Sequence, residues 1–334
     1  MTALTIVQAG PGLTLQDTGR PGYLAYGLSR GGAADTLALA EGAALLGQSP
    51  DLAVIEMAGM GGSFTADADI RIALTGAPMQ AAIDGQAVAW TASHLLPAGS
   101  TLTIGAVRAG AYGYLHVGGG FATPQTLGAR SAHLAAGIGA RLAAGDSLPI
   151  GADKGGQTGL TLPHDGRFDG GTVRVVPSLQ TAFFPEDEIT RFEDTRFTRD
   201  NRGNRMGVRV VPEGDGFAPE GGLSVLSEII VPGDIQITGD GTPFVLLAEC
   251  QTTGGYPRIG AVLPCDLPRV AQAPAGAVLR FRFVTAHEGL QALRREAEHR
   301  KGLAKSATPL VRDPATIRDL LAYQLISGVT AGAD

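Results

Sequence analysis

Ala98-Gly-Ser-Thr-Leu-Thr-Ile-Gly105 and Ala144-Gly-Asp-Ser-Leu-Pro-Ile-Gly151 share the pattern Ala-Gly-x-x-Leu-x-Ile-Gly, and Ala275-Gly-Ala-Val-Leu-Arg-Phe281 repeats it more loosely. Each places a glycine turn before residues with the two-residue period of a half-buried strand. Two readings are open: turn chemistry reached independently, or related β-barrel units repeated along the chain. Both make the fold mainly β. Working outward, Ile70-Arg-Ile-Ala-Leu-Thr75 alternates cleanly, and Ala53–Met57 and Phe244–Ala248 are apolar runs of strand length. Asp84-Gly85, just before Gln86–Thr91, is the strongest short hairpin signal in the chain.

Composition agrees. The 334 residues include 49 Gly and 20 Pro against 11 Phe, 6 Tyr and 1 Trp. An interior helical Gly costs about 1 kcal/mol relative to Ala, which disfavours a helix bundle. A hydrophobic content of 44% argues against disorder. At roughly 150 residues per domain, the length predicts two domains. The net charge of −6 comes with no basic patch, so nucleic-acid binding is not expected. No apolar run approaches the ~18 residues of a membrane span. The start, Met1-Thr-Ala-Leu-Thr-Ile-Val7, lacks a basic segment and reads as a strand, not a secretion signal. Cys250 and Cys265 are the only cysteines and make no disulfide framework. The expected compartment is the cytoplasm.

Few helices are predicted. Thr36–Leu46 has Asp35 as N-cap, an apolar stripe of Leu37, Ala40, Ala44 and Leu45, and Gly47 at the C′ position. Gly289–Arg300 is helical in pattern, with Glu296 and Arg300 at i,i+4 spacing, and Asp313-Pro314 opens a further helix to about Ile326. Residues 151–171, rich in Gly, Thr and Asp, are the linker candidate. The predicted organisation is an N-terminal β domain over 1–165, a C-terminal β domain over 172–285, and a helical tail over 286–334.

Several fragments imitate well-known motifs. Gly27-Leu-Ser29-Arg-Gly31 matches a nucleophile elbow, but the expected helix starts only beyond Asp35, so a serine nucleophile is the minor reading here. His116-Val-Gly-Gly-Gly120 reads equally as an oxyanion loop or a strand-end turn. Gly59-Met-Gly61-Gly62 has Phe64 where a dinucleotide fingerprint needs its third Gly. No phosphate-loop pattern occurs, the six His never fall at i,i+4, and no zinc site is expected.

Four polar clusters remain. They are Leu15–Tyr23, Leu74–Ala77, Asn204–Arg209 and Glu249–Pro257. In the third, Arg205 and Arg209 flank Gly207, an arrangement suited to a carboxylate or phosphate. In the fourth, an apolar strand ends in Glu, Gln, Thr, Thr and Gly-Gly, presenting donors and acceptors beside approachable backbone. Gly19, Gly76, Gly207, Gly254 and Gly255 are read as places where a ligand nears the main chain. Ordinary surface turns remain the alternative for each cluster.

The clusters, in this order, resemble the KipA-type, biotin-dependent carboxyltransferase family, also called the allophanate hydrolase subunit 2 family. The resemblance covers roughly residues 4–285. It rests on Gln16-Asp17-x-Gly19-Arg20, Gly32-Ala-Ala-Asp35, Thr75-Gly-Ala77, Gly118-Gly-Gly120, Leu127-Gly-Ala-Arg-Ser131, Arg205-Met-Gly-x-Arg209, Gly233-x-Ile235-Gln236 and Gln251-Thr-Thr-Gly-Gly-Tyr-Pro257. Ala34, Ala129 and Asn204 depart from the usual Met, Ser and Asp, and leave the branch open.

The resemblance implies two cyclophilin-like β-barrel domains facing each other across a cleft, and a separate KipI-like partner. It also implies a choice of chemistries. One is ATP-dependent hydrolysis of 5-oxoproline to glutamate, with a LamB/YcsF-like third component and nucleotide bound largely elsewhere in the complex. Another is carboxyl transfer to a urea-like nitrogen from carboxybiotin. The chain has no Met-Lys-Met motif, so another protein would carry the biotin. A third is non-enzymatic binding of the KipI-like protein. The expected catalytic residues are Asp17, Arg20, Arg205 and Glu249, with Glu249 or Asp17 as base and arginines for the anion. Gln16, Tyr23, Thr75, Arg209, Gln236, Gln251, Thr252, Gly254, Gly255 and Tyr256 are the expected substrate contacts.

Overall fold

Asp84 and Gly85 both take the left-handed conformation, with φ of 48° and 80°. They form the primed turn that matches the twist of the two strands they join, Met79–Ile83 and Gln86–Ala87. A computed structural model describes residues 2–311, apart from Gly221, Leu223 and Ser224. Glycines at positive φ likewise precede the strands Thr101–Val107, Ser147–Pro149 and Val278–Phe283 in the three Ala-Gly repeats. The first two strands lie in one sheet and the third in a different body.

The N-terminal half is two sheets facing each other. One has the order Ser147–Pro149, Ala3–Ala9, Gly62–Ala66, Thr101–Val107, Met79–Ile83, Gln86–Ala87. The other runs Leu13–Gln16, Val54–Ala58, Tyr112–Val117, Ile70–Gly76, Ala92–Leu96, Leu160–Thr161, Thr308–Pro309. Leu4, Ile6, Phe64, Leu102 and Ile104 of the first meet Ile55, Met57, Ile72, Leu74 and Leu115 of the second in one buried core.

The C-terminal half closes by hydrogen bonding into a barrel. Its order is Gly170–Val176, Arg258–Val262, Asp234–Ile237, Pro243–Leu246, Gly207–Pro212, Phe197–Asn204, Val278–Phe283. Parallel pairing of Val278–Phe283 with Gly170–Val176 shuts it. The scarce aromatics concentrate here: Phe192 sits 5.0–5.3 Å, ring to ring, from Phe197, Phe217 and Phe281. The molecule is mainly β, with short helices and a helical segment near its C-terminus, as the sequence predicts.

The described residues contain four α-helices: α1 (Thr36–Leu46), α2 (Glu186–Asp194), α3 (Leu267–Gln272) and α4 (Ala286–Ser306). Helix α1 has the predicted limits, because Asp35 Oδ1 accepts from the Leu37 and Ala38 amides and Gly47 turns left-handed. Helix α4 opens with a capping box from Thr285 and Glu288, and carries the expected Glu296–Arg300 pair at 2.8 Å. It lies against α1 through Leu303, and Arg300 bonds Thr36. The expected helix from Asp313 lies outside the described residues. Helices α2 and α3 are absent from the strand-dominated reading of residues 172–284. Both are short and pack against the barrel; α2 carries an acidic first turn after Pro185 and buries Phe192, signals that the strand-dominated reading passes over.

The 151–171 segment is not a free tether. Leu160–Thr161 joins a sheet, and Arg167 is buried between Asp35 (2.7 Å) and a bidentate Glu41 (2.8 Å to each oxygen). Gln272 of α3 completes the junction, donating to Asp35 and to the Tyr112 carbonyl and accepting from the Ala111 and Tyr112 amides. A wholly buried amide satisfied on both ends ties the barrel to the first half.

Candidate active site

Arg205 stands at the turn between the barrel strands Phe197–Asn204 and Gly207–Pro212. It crosses from the barrel to the N-terminal half. Its Nε donates to Glu249 Oε1 at 2.6 Å, and its two terminal nitrogens donate to Glu56 Oε1 and the Gly32 carbonyl. The other Glu56 oxygen accepts from the Tyr114 hydroxyl (2.7 Å) and the Ala34 amide (2.8 Å). Burial opposes the charge on Arg205, but Glu56 and Glu249 outweigh it and hold the guanidinium above its ordinary pKa.

Beside this anchor lies a cavity of about 860 Å³. The N-terminal half contributes Ser29 and His133, and the barrel half contributes Gln236, Glu249 and the Gln251–Tyr256 strand end. Thr253–Gly254 pairs with Glu228–Ile229, which steadies one rim. Gln236 is buried, yet its Nε2 has no hydrogen-bond partner among the described residues. An ideal Cβ on Gly254 would stand only 2.5 Å from that nitrogen, so the glycine leaves room for the amide. Gln16, Arg20, Thr123, Ser131 and Arg199 also carry unpartnered buried atoms, and of the six residues only Gln236 borders the cavity, which makes its amide the candidate contact for a ligand oxygen.

Glu249 is 3% exposed. Arg205 occupies its Oε1, and its Oε2 accepts from the Ala135 amide at 3.2 Å. Ser29 Oγ lies 2.9 Å from His133 Nε2. Burial, opposed by Glu249, holds the His133 pKa below its ordinary value, so the ring is neutral at pH 7. Among the described residues, no Lys or Arg lines the cavity. The arrangement suits the carbonyl of a small polar ligand, met by donors and one carboxylate.

Of the residues predicted from sequence, Glu249, Gln236, Gln251, Thr252, Gly254, Gly255 and Tyr256 come together on this wall. The others do not border it. Arg205, expected to hold an anion, has all three guanidinium nitrogens bonded to the protein. Arg20 is 1% exposed, and bonds the Ser131 carbonyl at 2.5 Å and that of Thr126 at 3.4 Å. Asp17 accepts from the Gly19 and Arg130 amides, which fixes the turn, and it does not border the cavity. Gln16 is buried and bonds Thr14 and the Ala132 carbonyl. Thr75 donates to the Ala38 carbonyl beneath α1. Arg209 pairs with Asp200 and Asp240 on the outside of the barrel. Tyr23 sits 6.3 Å from Tyr26, away from the cavity. Gly207 serves strand packing, since a Cβ there would fall 2.2 Å from the Phe244 ring.

The sequence disfavours Ser29 as a nucleophile and gives His133 no role. The fragment Gly27–Gly31 holds the signal. A Cβ on Gly31 would sit 3.1 Å from His133 Cδ2, so its second glycine makes space for the ring.

Comparison with known proteins places this geometry. The family described as carboxyltransferase domain, subdomain A and B, matches residues 26–283. The chain is 33% identical over 289 residues to the 5-oxoprolinase C subunit of Haemophilus influenzae, spanning 85% of this chain and 92% of that one. It is 32% identical over 306 residues to the 5-oxoprolinase C subunit of Escherichia coli, spanning 90% and 97%. The crystal structure of Kluyveromyces lactis urea carboxylase shares the fold, with a TM-score of 0.79 at 21% identity, over 93% of this chain and 31% of that one. The matched residues take in both halves and the strand end that walls the cavity, and the chain therefore belongs to the carboxyltransferase-domain family, subdomains A and B.

Proposed function

We propose that the chain is the C component of an ATP-dependent 5-oxoprolinase, which opens 5-oxo-L-proline to L-glutamate with KipI-like and LamB/YcsF-like partners. The observation that carries this reading is the end-to-end similarity to the two 5-oxoprolinase C subunits, at 33% and 32% identity. The cavity suits the substrate's amide, while its carboxylate finds no Lys or Arg on this wall and is left to backbone and hydroxyl donors such as those of Thr252–Gly255. Gln236 Nε2 donates to the lactam oxygen, and Glu249 Oε2 orients the attacking water. A wall without Lys or Arg among the described residues does not fit a triphosphate. Nucleotide binding is therefore assigned to another component of the complex.

The test is reconstitution. The purified chain mixed with both partners, 5-oxoproline and ATP should form glutamate, and Gln236→Leu should raise KM at least tenfold with the complex still assembled. No glutamate from the wild-type mixture overturns the reading. Gln236→Leu replaces arginine variants as the diagnostic change, because truncating Arg20 or Arg205 disturbs the fold itself. If the KipI-like partner binds wild type and Gln236→Leu alike and neither turns over, the chain is a binding partner only.

A 25% identity to urea amidolyase of Saccharomyces cerevisiae over 84% of this chain supports a second reading, carboxyl transfer. Met206, Phe244 and Leu246 suit the ring of a biotin carried by another protein, and the Gln236 amide suits its ureido oxygen. Transfer of labelled carboxylate from carboxybiotin to urea, with no glutamate formed, would favour it.

A further inference from the structure

Ser29, His133 and Glu249 stand in the order of a hydrolytic triad, and the hydrogen bonds reverse its polarity. His133 begins the tight turn Leu134–Ala136, and its Nδ1 accepts the Ala136 amide at 3.2 Å. A neutral imidazole has one donor and one acceptor nitrogen, so an accepting Nδ1 puts the proton on Nε2. At 2.9 Å that N–H donates to Ser29 Oγ. Glu249 cannot draw the proton back to Nδ1. Its Oε2 is 4.0 Å away and already accepts from Ala135, while Arg205 holds the other oxygen. The Ser29 hydroxyl makes no other hydrogen bond among the described residues, and it borders the same cavity as the unpartnered Gln236 amide.

We propose that Ser29 is a substrate-binding donor and not a nucleophile: its O–H points charge at the carbonyl oxygen of a cyclic amide or ureido ligand, with His133 as the positioning residue. This deepens the reading of the cavity as a carbonyl site and rests on it. The chain Ala136 N–H to His133, His133 N–H to Ser29 and Ser29 O–H to ligand runs in one direction, so each bond polarises the next. With Gln236 it gives the oxygen two donors, the arrangement that stabilises an oxyanion as the amide carbon turns tetrahedral. Burial also keeps His133 neutral, which preserves the accepting Nδ1 on which the polarity depends.

Two measurements test it. In the full chain labelled with 15N-histidine, at pH 7.5, His133 should show a protonated Nε2 and a bare Nδ1; a protonated Nδ1 overturns the proposal. That result is independent of turnover, so failure of the 5-oxoprolinase reading and failure of this inference are read separately. In the reconstituted complex, Ser29→Ala should lower kcat/KM about a hundredfold while leaving residual turnover, as for loss of one oxyanion donor. Ser29→Cys, a weak donor, should fall nearly as far. A fluorophosphonate should leave wild type unlabelled. Covalent labelling at Ser29, or an undiminished Ser29→Ala enzyme, refutes the assignment. Ser29→Ala also removes the acceptor of the His133 N–H, so a folded variant that still assembles with the partners, its kinetic loss far exceeding its loss of stability, separates substrate contact from a structural role.

Discussion

Replacing Arg205 by Ala removes three donors at once: those to Glu249, Glu56 and the Gly32 carbonyl. It leaves two carboxylates, 1% and 3% exposed, without their cation. Breaking a buried ion pair from one side costs about 3–5 kcal/mol. Glu56 keeps the Tyr114 hydroxyl and the Ala34 amide, and Glu249 keeps the Ala135 amide, so neither is stripped bare. The lower end, about 3 kcal/mol, is the expected loss. At about 2–4 °C per kcal/mol for a large domain, that is a fall in Tm of about 6–12 °C. Urea and thermal unfolding followed by circular dichroism measure it. Arg205→Met with Glu56→Gln should recover part of the loss, since removing both charges spares the stranded carboxylate. An Arg205→Ala protein within about 1 kcal/mol of wild type, yet inactive in the complex, would refute the reasoning and return Arg205 to ligand binding.

Other outcomes follow from the same geometry. Gly42→Ala should destabilise by about 2 kcal/mol despite the gain in helix propensity. Its Cβ would lie 2.2 Å from His116 Cε1, and a stabilised variant refutes this contact. Burial pulls the His116 pKa down to about 3, from 6.5. The unfolded chain binds that proton below pH 6.5 and the native one does not. Stability from neutral His116 is therefore complete above pH 6.5 and lost at up to about 1.4 kcal/mol per unit as pH falls towards 3. His116→Gln should flatten that acid slope, and an identical slope counts against it. Burial, with Asp234 second, pushes the Cys250 thiol up to about 12, and burial with Asp266 pushes Cys265 up to about 11. Iodoacetamide at pH 7.5 should spare both in the folded protein, and reaction at the rate of a free thiol contradicts it. Gly254→Ala should crowd Gln236 Nε2 and the buried Ile230 side chain, costing about 1–3 kcal/mol of stability, and raise KM at least tenfold. Unchanged kinetics would remove that amide from the site.

The local chemistry was legible in the chain. Asp35 and Gly47 bound α1 because a side-chain oxygen can satisfy free amides and a glycine can turn left-handed, both within a few residues. Asp84-Gly85 specifies its hairpin for the same reason. The strand end Glu249–Tyr256 announced itself because polar residues after an apolar run must leave the core, and it walls the cavity. Arg205, Arg20, Asp17 and Thr75 carry family motifs, yet they anchor the fold. Residue type says that an arginine needs acceptors, and only the assembled halves say whether protein or ligand supplies them. His133 could not be read at all, since its partners Ser29 and Glu249 lie 104 and 116 residues away. The sequence by itself determined the β architecture, the turns and the caps, which depend on neighbours along the chain. Tertiary structure alone decided which polar groups are satisfied by the protein and which still face the cavity, because that depends on partners brought together from both halves.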